Sequence, residues 1–152
     1  NPKIIFKKSL PIMGNMYLLT YDPKHKATLP YYDSFPLIFP INRAKGGFLG
    51  INMHYLPPPL RAKLMDALYE TTNNKYYNET TKLKLNYDIL NSASKFRMFK
   101  PCVKHYLTGQ LKTRLVYINP TEWDVALFLP TARFVGATQA QVFKDSRKII
   151  RG

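Results

Sequence analysis

Acidic residues are the scarce class in this chain: nine Asp and Glu stand against 23 Lys and Arg, for a formal net charge of +14. Carboxylates this sparse are a poor source for a metal-dependent nuclease centre, which needs several of them clustered. Cysteine is nearly absent. Cys102 alone excludes an intrachain disulfide and a multi-cysteine zinc site, and it reads as a small buried apolar side chain in a helix rather than a reactive thiol. Long apolar runs are missing too, so neither a membrane-spanning helix nor a secretory leader is expected. The first residue is Asn1 rather than Met, which reads as a start inside a longer product. There is no glycine-rich phosphate loop, no H-E-x-x-H, no C-x-x-C and no G-x-S-x-G. Nucleotide-hydrolysing, protease-like and glycosidase-like readings lose their support, and no catalytic residue, cofactor or metal ligand is named. A metal-independent nuclease built on His54 or His105 with Lys and Tyr has no motif behind it.

What is present is apolar and aromatic enough to fold. Of 152 residues 45% are hydrophobic, with 11 Tyr and 9 Phe, so a chain of this length buries a core large enough to offset its ordering entropy. The positive excess predicts a polyanionic partner: nucleic acid, an anionic surface or an acidic protein. It is uneven. Residues 75–152 hold 14 basic against 5 acidic side chains, whereas residues 1–74 hold 9 against 4.

The organising stretch is Phe35–Leu56, two apolar runs joined by a polar, glycine-bearing turn, which predicts a core hairpin. Residues 1–13 read as an extended arm in which Ile4, Ile5 and Phe6 dock on the domain itself or on a neighbour; residues 14–152 read as one domain. Met16–Tyr21 alternates as a strand with apolar groups on both faces, and Tyr21–Lys24 is a turn. His25, beside two lysines, reads as a solvated loop histidine. Tyr31, Tyr32 and Phe35 either stack on bases or close the mouth of a small barrel, the second being preferred. Pro57–Pro59 launches an amphipathic helix with Leu60, Leu64, Ala67 and Leu68 on its apolar face and Arg61 elsewhere. Residues 71–81 are expected to be an exposed loop, where Asn78-Glu79-Thr80 is a chance glycosylation match. A short helix is expected over 83–92.

Residues 94–107 interleave Lys95, Arg97, Lys100, Lys104 and His105 with Phe96, Phe99 and Tyr106, the best candidate surface for a polyanion. The bland alternative is a helix with a buried apolar face and a solvated basic one. Lys112–Ile118 reads as a strand. Asn119-Pro120-Thr121-Glu122 predicts a helix start, with Asn119 as N-cap and Glu122 completing a capping box, and Trp123–Leu129 should be buried in the domain or against a partner. Pro130 stops that helix. A last helix from about Ala137 sets Val142, Phe143, Ile149 and Ile150 against Lys144, Arg147, Lys148 and Arg151.

Five blocks in this order, Tyr17–Lys24, Leu29–Pro40, Gly46–Pro57 (G-G-F-L-G-I-N-M-H-Y-L-P), Phe99–Leu107 and Glu122–Pro130, resemble a family of small virion proteins of T4-like tailed bacteriophages, often labelled DNA end protectors. The resemblance covers nearly the whole chain and implies a non-enzymatic role in virion assembly beside packaged DNA, at the head vertex or in the neck and tail. No catalytic residue of the family is matched. The expected fold is α+β: a small, strongly bent antiparallel barrel, SH3-like, from residues 16–56 and 112–118, decorated with amphipathic helices. The expected DNA contacts are phosphate contacts from Lys95, Arg97, Lys100, Lys104, Arg114, Lys144, Arg147 and Lys148, without base readout. The partners would be other virion proteins and DNA, in a virion assembled in the host cytoplasm. The alternative is an architectural neck, tail or baseplate subunit whose basic faces meet acidic neighbours.

Overall fold

A computed structural model describes residues 11–151 of the chain. The apolar triplet Ile4, Ile5 and Phe6, and the arm to which it belongs as far as residue 10, lie outside the described residues. The element order is β1 (Met16–Leu18), β2 (Tyr32–Asp33), β3 (Leu37–Ala44), β4 (Gly47–Asn52), α1 (Pro58–Thr72), α2 (Glu79–Ala93), β5 (Val103–Leu107), β6 (Val116–Ile118), α3 (Trp123–Phe128), β7 (Phe134–Val135) and α4 (Gln139–Arg151). Short 3-10 segments intervene, of which Met53–Tyr55 and Arg97–Cys102 matter below.

The expected hairpin is the centre of the sheet. β3 and β4 are antiparallel neighbours turning at Lys45–Gly46, where Gly46 takes a φ of +76° that a residue with a Cβ adopts at a cost. Gly47 is required for another reason: a Cβ there would stand 1.8 Å from the Tyr106 carbonyl oxygen on β5. Pro40 lies inside β3, and the register slips by one residue between Pro40 and Asn42. That bulge accommodates a residue with no N–H to offer the ladder.

The sheet is open. Its order is β5-β4-β3-β1-β6, all pairs antiparallel, and β2 and β7 form a separate two-stranded ribbon. The mixed α+β class stands, but the sheet is not closed into the barrel expected from the sequence. Two physical reasons account for the difference. The fifth strand is Val103–Leu107, in a stretch read as helical; Pro101 removes a helix hydrogen bond there, and V-K-H-Y-L then alternates against β4. The stretch from Lys112 pairs as a strand only over Val116–Ile118, at the opposite edge.

Each sheet face has its own cluster. Met16, Leu37, Phe39, Ile41 and Ile51 join the buried residues of all four helices, with Trp123 set edge-on to Phe39 at 5.1 Å between ring centroids. Tyr17, Leu19, Tyr21, Ile38, Phe48 and Tyr106 form a smaller, largely aromatic cluster on the other face. Fully burying a side chain the size of Phe39 contributes about 2–3 kcal/mol, so the first cluster dominates stability. Alternation in Met16–Tyr21 thus serves both faces, as its pattern requires.

α2 is longer than the sequence suggests. α2 begins at Glu79 because the Asn78 side chain accepts the Thr81 N–H at 2.8 Å, so the loop is confined to 73–78. Asn119 caps its turn as expected, accepting the Thr121 N–H at 3.1 Å, while the hydrogen bonds at that cap come from Asn119 and not from the Glu122 side chain. Of the apolar run after it, Trp123 and Leu127 are buried, whereas Val125, Phe128 and Leu129 stay about half exposed. Arg61, expected on the polar face of α1, is buried.

Candidate nucleic-acid interface

The 3-10 segment Arg97–Cys102 packs against α4, and this contact brings two basic stretches together. Phe99 and Cys102 face the core from the first element and Val142 and Ser146 from the second. Their outer faces therefore remain in solvent side by side. Arg97 and Lys100 on one, and Lys144, Arg147 and Lys148 on the other, are all exposed; Lys95, just before the 3-10 segment, is exposed as well. Phe96 at 61% and Met98 at 43% exposure stand among them. Residues 89–121 contain no acid at all, and Asp145, the one carboxylate on α4, is engaged by the Gln141 side-chain amide at 2.8 Å. The result is a positive face with aromatic and thioether surface between the charges.

Two of the expected contact residues are placed differently. Arg114 is exposed in the connection leading to β6, at the sheet edge opposite β5, away from this face. Lys104 lies half-buried on β5 with its ammonium 4.1 Å from the centre of the Tyr55 ring, and burial lowers its pKa. That cation packs on an aromatic face rather than projecting into solvent. Cys102, next to it, is buried, and desolvation pushes its thiol up to about 12. Tyr31 and Tyr55 lie 6.5 Å apart at the margin of the core, on which Tyr31 packs, although there is no closed barrel for it to cap.

A second constellation was not singled out from sequence. Asp33 and His54 are both almost fully buried, with Asp33 Oδ2 2.6 Å from His54 Nδ1, and His54 Nε2 is 2.8 Å from Thr131 Oγ1. Asn52 donates its amide to the same carboxylate at 3.0 Å, and Phe35 N–H donates to Asp33 Oδ1 at 3.0 Å. Burial by itself would raise the Asp33 carboxyl; the bonds from His54, Asn52 and Phe35 outweigh it and hold the group below its ordinary value. The order carboxylate, imidazole, hydroxyl is that of a nucleophile relay, but such a relay also needs donors converging beside the hydroxyl. The neighbouring amides of Thr131 and Arg133 turn inward instead, to Leu129 O and Asp33 Oδ1. What the network does is fasten three distant segments: the β2–β7 ribbon, the 3-10 turn after β4 and the exit of α3. Arg61 continues it, donating to the Leu56 and Leu127 carbonyls, each at 2.6 Å. The sequence signal was weak, a D-S-F turn and an N-M-H turn whose polar side chains satisfy local amides before reaching each other. His105, by contrast, is exposed and bonds the Lys45 carbonyl at 2.8 Å.

Among the described residues no group of three or more His, Cys, Asp or Glu is arranged to hold a metal ion. No helix among the described residues is long and apolar enough to cross a membrane.

Comparison with known proteins supplies the family. The family described as phage T4 terminal DNA protecting protein matches residues 5–150, nearly the whole chain, and the protein belongs to it. No curated protein and no solved structure matches the chain.

Proposed function

We propose that this protein covers the ends of packaged phage DNA without chemistry of its own, gripping the duplex through its phosphates on the face built by Arg97–Cys102 and α4. Membership in a bacteriophage DNA-protecting family supplies the class of partner. The observation that supports this location is the packing of two remote basic segments against one another, with the one carboxylate on α4 already hydrogen-bonded. Lys95, Arg97, Lys100, Lys144, Arg147 and Lys148 neutralise phosphates, Phe96 packs on sugar or an exposed terminal base, and recognition is independent of sequence. Arg114 and Lys104 fall outside that primary face. The protein acts in the virion, among other virion proteins.

Binding to a short blunt duplex across a salt series, with a circular duplex as competitor, tests the reading. Affinity should fall with a log–log slope of about −0.9 per phosphate contacted, and the linear form should win. Absence of binding at moderate salt would overturn it. A second reading, an architectural subunit meeting acidic protein neighbours, draws on the apolar groove between α1 and α2, lined by Leu60, Leu64, Ile89 and the exposed Phe96 and Met98. That reading is what a failed DNA titration would leave.

A further inference from the structure

β6 is an outer strand of the sheet, with β1 on one side and no strand on the other. The ladder shows which of its backbone groups face outward. Leu19 N–H donates to the Pro36 carbonyl at 3.2 Å, so by alternation Tyr17, two residues back, also turns its backbone toward β3. Met16 and Leu18 turn theirs the other way, toward Ile118 and Val116. The N–H and C=O of Tyr117 therefore point away from the sheet, and neither is bonded among the described residues. Proteins commonly blunt such an edge with a lysine, a proline or a bulge, and Val116-Tyr117-Ile118 has none of these.

The surface beside this edge is apolar. Val116, Tyr117, Val125, Phe128 and Leu129 are each about half exposed, and Val125 and Leu129 line one shallow depression with Tyr117 and Ile118. Half of five such side chains is on the order of 400 Å² of apolar surface, the size of the largest patch on an ordinary monomer. It is also about half of the ~800 Å² per partner in a standard interface, which leaves strand backbone and a polar rim to supply the rest. Charge narrows the occupant. Lys112 and Arg114, both exposed, lead into β6, whereas Glu122 and Asp124, exposed and two of only nine acids in the chain, follow it. A surface basic at one end and acidic at the other is complementary to itself after a half-turn.

We propose that β6 pairs antiparallel with β6 of a second copy across a two-fold axis through Tyr117, joining two five-stranded sheets into one. On that axis Tyr117 exchanges both backbone hydrogen bonds with its own counterpart, an arrangement open only to a residue whose groups face outward. The antiparallel register carries Lys112 and Arg114 of each copy along the end of the other's strand, toward its Glu122 and Asp124. The exposed apolar face of α3 is covered in the same step. Arg97–Cys102 leads into β5 at the opposite edge of the sheet, so the dimer leaves the basic face of both copies free. The inference does not use the DNA reading and stands or falls without it.

The test is sedimentation velocity of the full chain, without DNA, over a micromolar concentration series. The wild type should sediment as a dimer. Tyr117→Lys and Tyr117→Glu each set like charges directly opposite one another at the centre of the interface, and each should weaken the dimer about tenfold or more. An equimolar mixture of the two should dimerise again, because the axis then pairs opposite charges. A second variant covers the case in which these fail to fold. Cys102 is the one cysteine and is buried, so Tyr117→Cys puts the only accessible thiol on the axis. Cα atoms of a hydrogen-bonded antiparallel pair lie about 5.5 Å apart, within disulfide reach. Mild oxidation should link Tyr117→Cys into a covalent dimer and leave Val135→Cys, comparably exposed on β7, unlinked. A monomeric wild type, a Tyr117→Lys dimer as tight as the wild type, a mixture that stays monomeric, or equal cross-linking of the two cysteine variants would each overturn the pairing.

Discussion

Two buried side chains show how individual residues set conditions on the whole. Asp33 is ionised inside the protein because His54, Asn52 and Phe35 hold it so, and its pKa is lowered on folding. A carboxylate with a depressed folded pKa contributes stability that is present above the unfolded value of about 3.9 and is lost as pH falls below it through the folded value. Thermal unfolding followed from pH 5 down to pH 3 should therefore show an acid-side loss in the wild type. Asp33→Asn should flatten that loss and lower stability by about 3 kcal/mol at neutral pH, because it breaks a buried, hydrogen-bonded pair. An Asp33→Asn melt with the same acid slope as the wild type would refute the account. Cys102 makes a simpler case. With its thiol pushed up to about 12 and its side chain 1% exposed, it should resist a thiol reagent at pH 8 in the folded protein and react only in denaturant.

At the scale of elements, the β4–β5 pairing is the joint most sensitive to a single atom. Gly47→Ala would drive a Cβ into the Tyr106 carbonyl, so the strands must part. A destabilisation of at least about 2 kcal/mol is expected in a denaturant melt, with Gly109→Ala, where a Cβ meets open space, as the silent control. The elements also show what was legible beforehand. The hairpin, the two-faced strand at Met16, the Pro57–Pro59 helix start and the Asn119 cap were all readable, because each is set by local alternation or by a turn or cap residue. β5 was not, since V-K-H-Y-L has only five residues and follows basic, aromatic residues whose spacing also fits a helix; its identity as a strand comes from β4, more than fifty positions away. The start of α2 was missed because Asn78 satisfied a glycosylation pattern and an N-cap pattern with the same residues. Arg61 and the Asp33 network were illegible for a different reason: polar side chains at those positions look solvated until distant carbonyls and carboxylates converge on them.

For the molecule as a whole, net charge argued for a polyanion, and the fold decides which charges act together. Six of the eight residues singled out from sequence lie on the 3-10 segment, just before it or on α4; Arg114 lies at the far sheet edge and Lys104 lies over Tyr55. A uniformly basic surface and a discrete face make different predictions. If the face acts as a unit, Lys100→Glu combined with Lys148→Glu removes two phosphate contacts and should reduce the magnitude of the salt slope by about 1.8, since each contact contributes about 0.9. Arg114→Glu changes the net charge by as much as either single change but should leave that slope nearly intact. Both variants alter only exposed side chains, so their melting temperatures should match the wild type within a few degrees. Equal slope losses from Arg114→Glu and from either single substitution would mean that the duplex senses net charge rather than a surface. The packing of Arg97–Cys102 on α4 would then have no part in recognition.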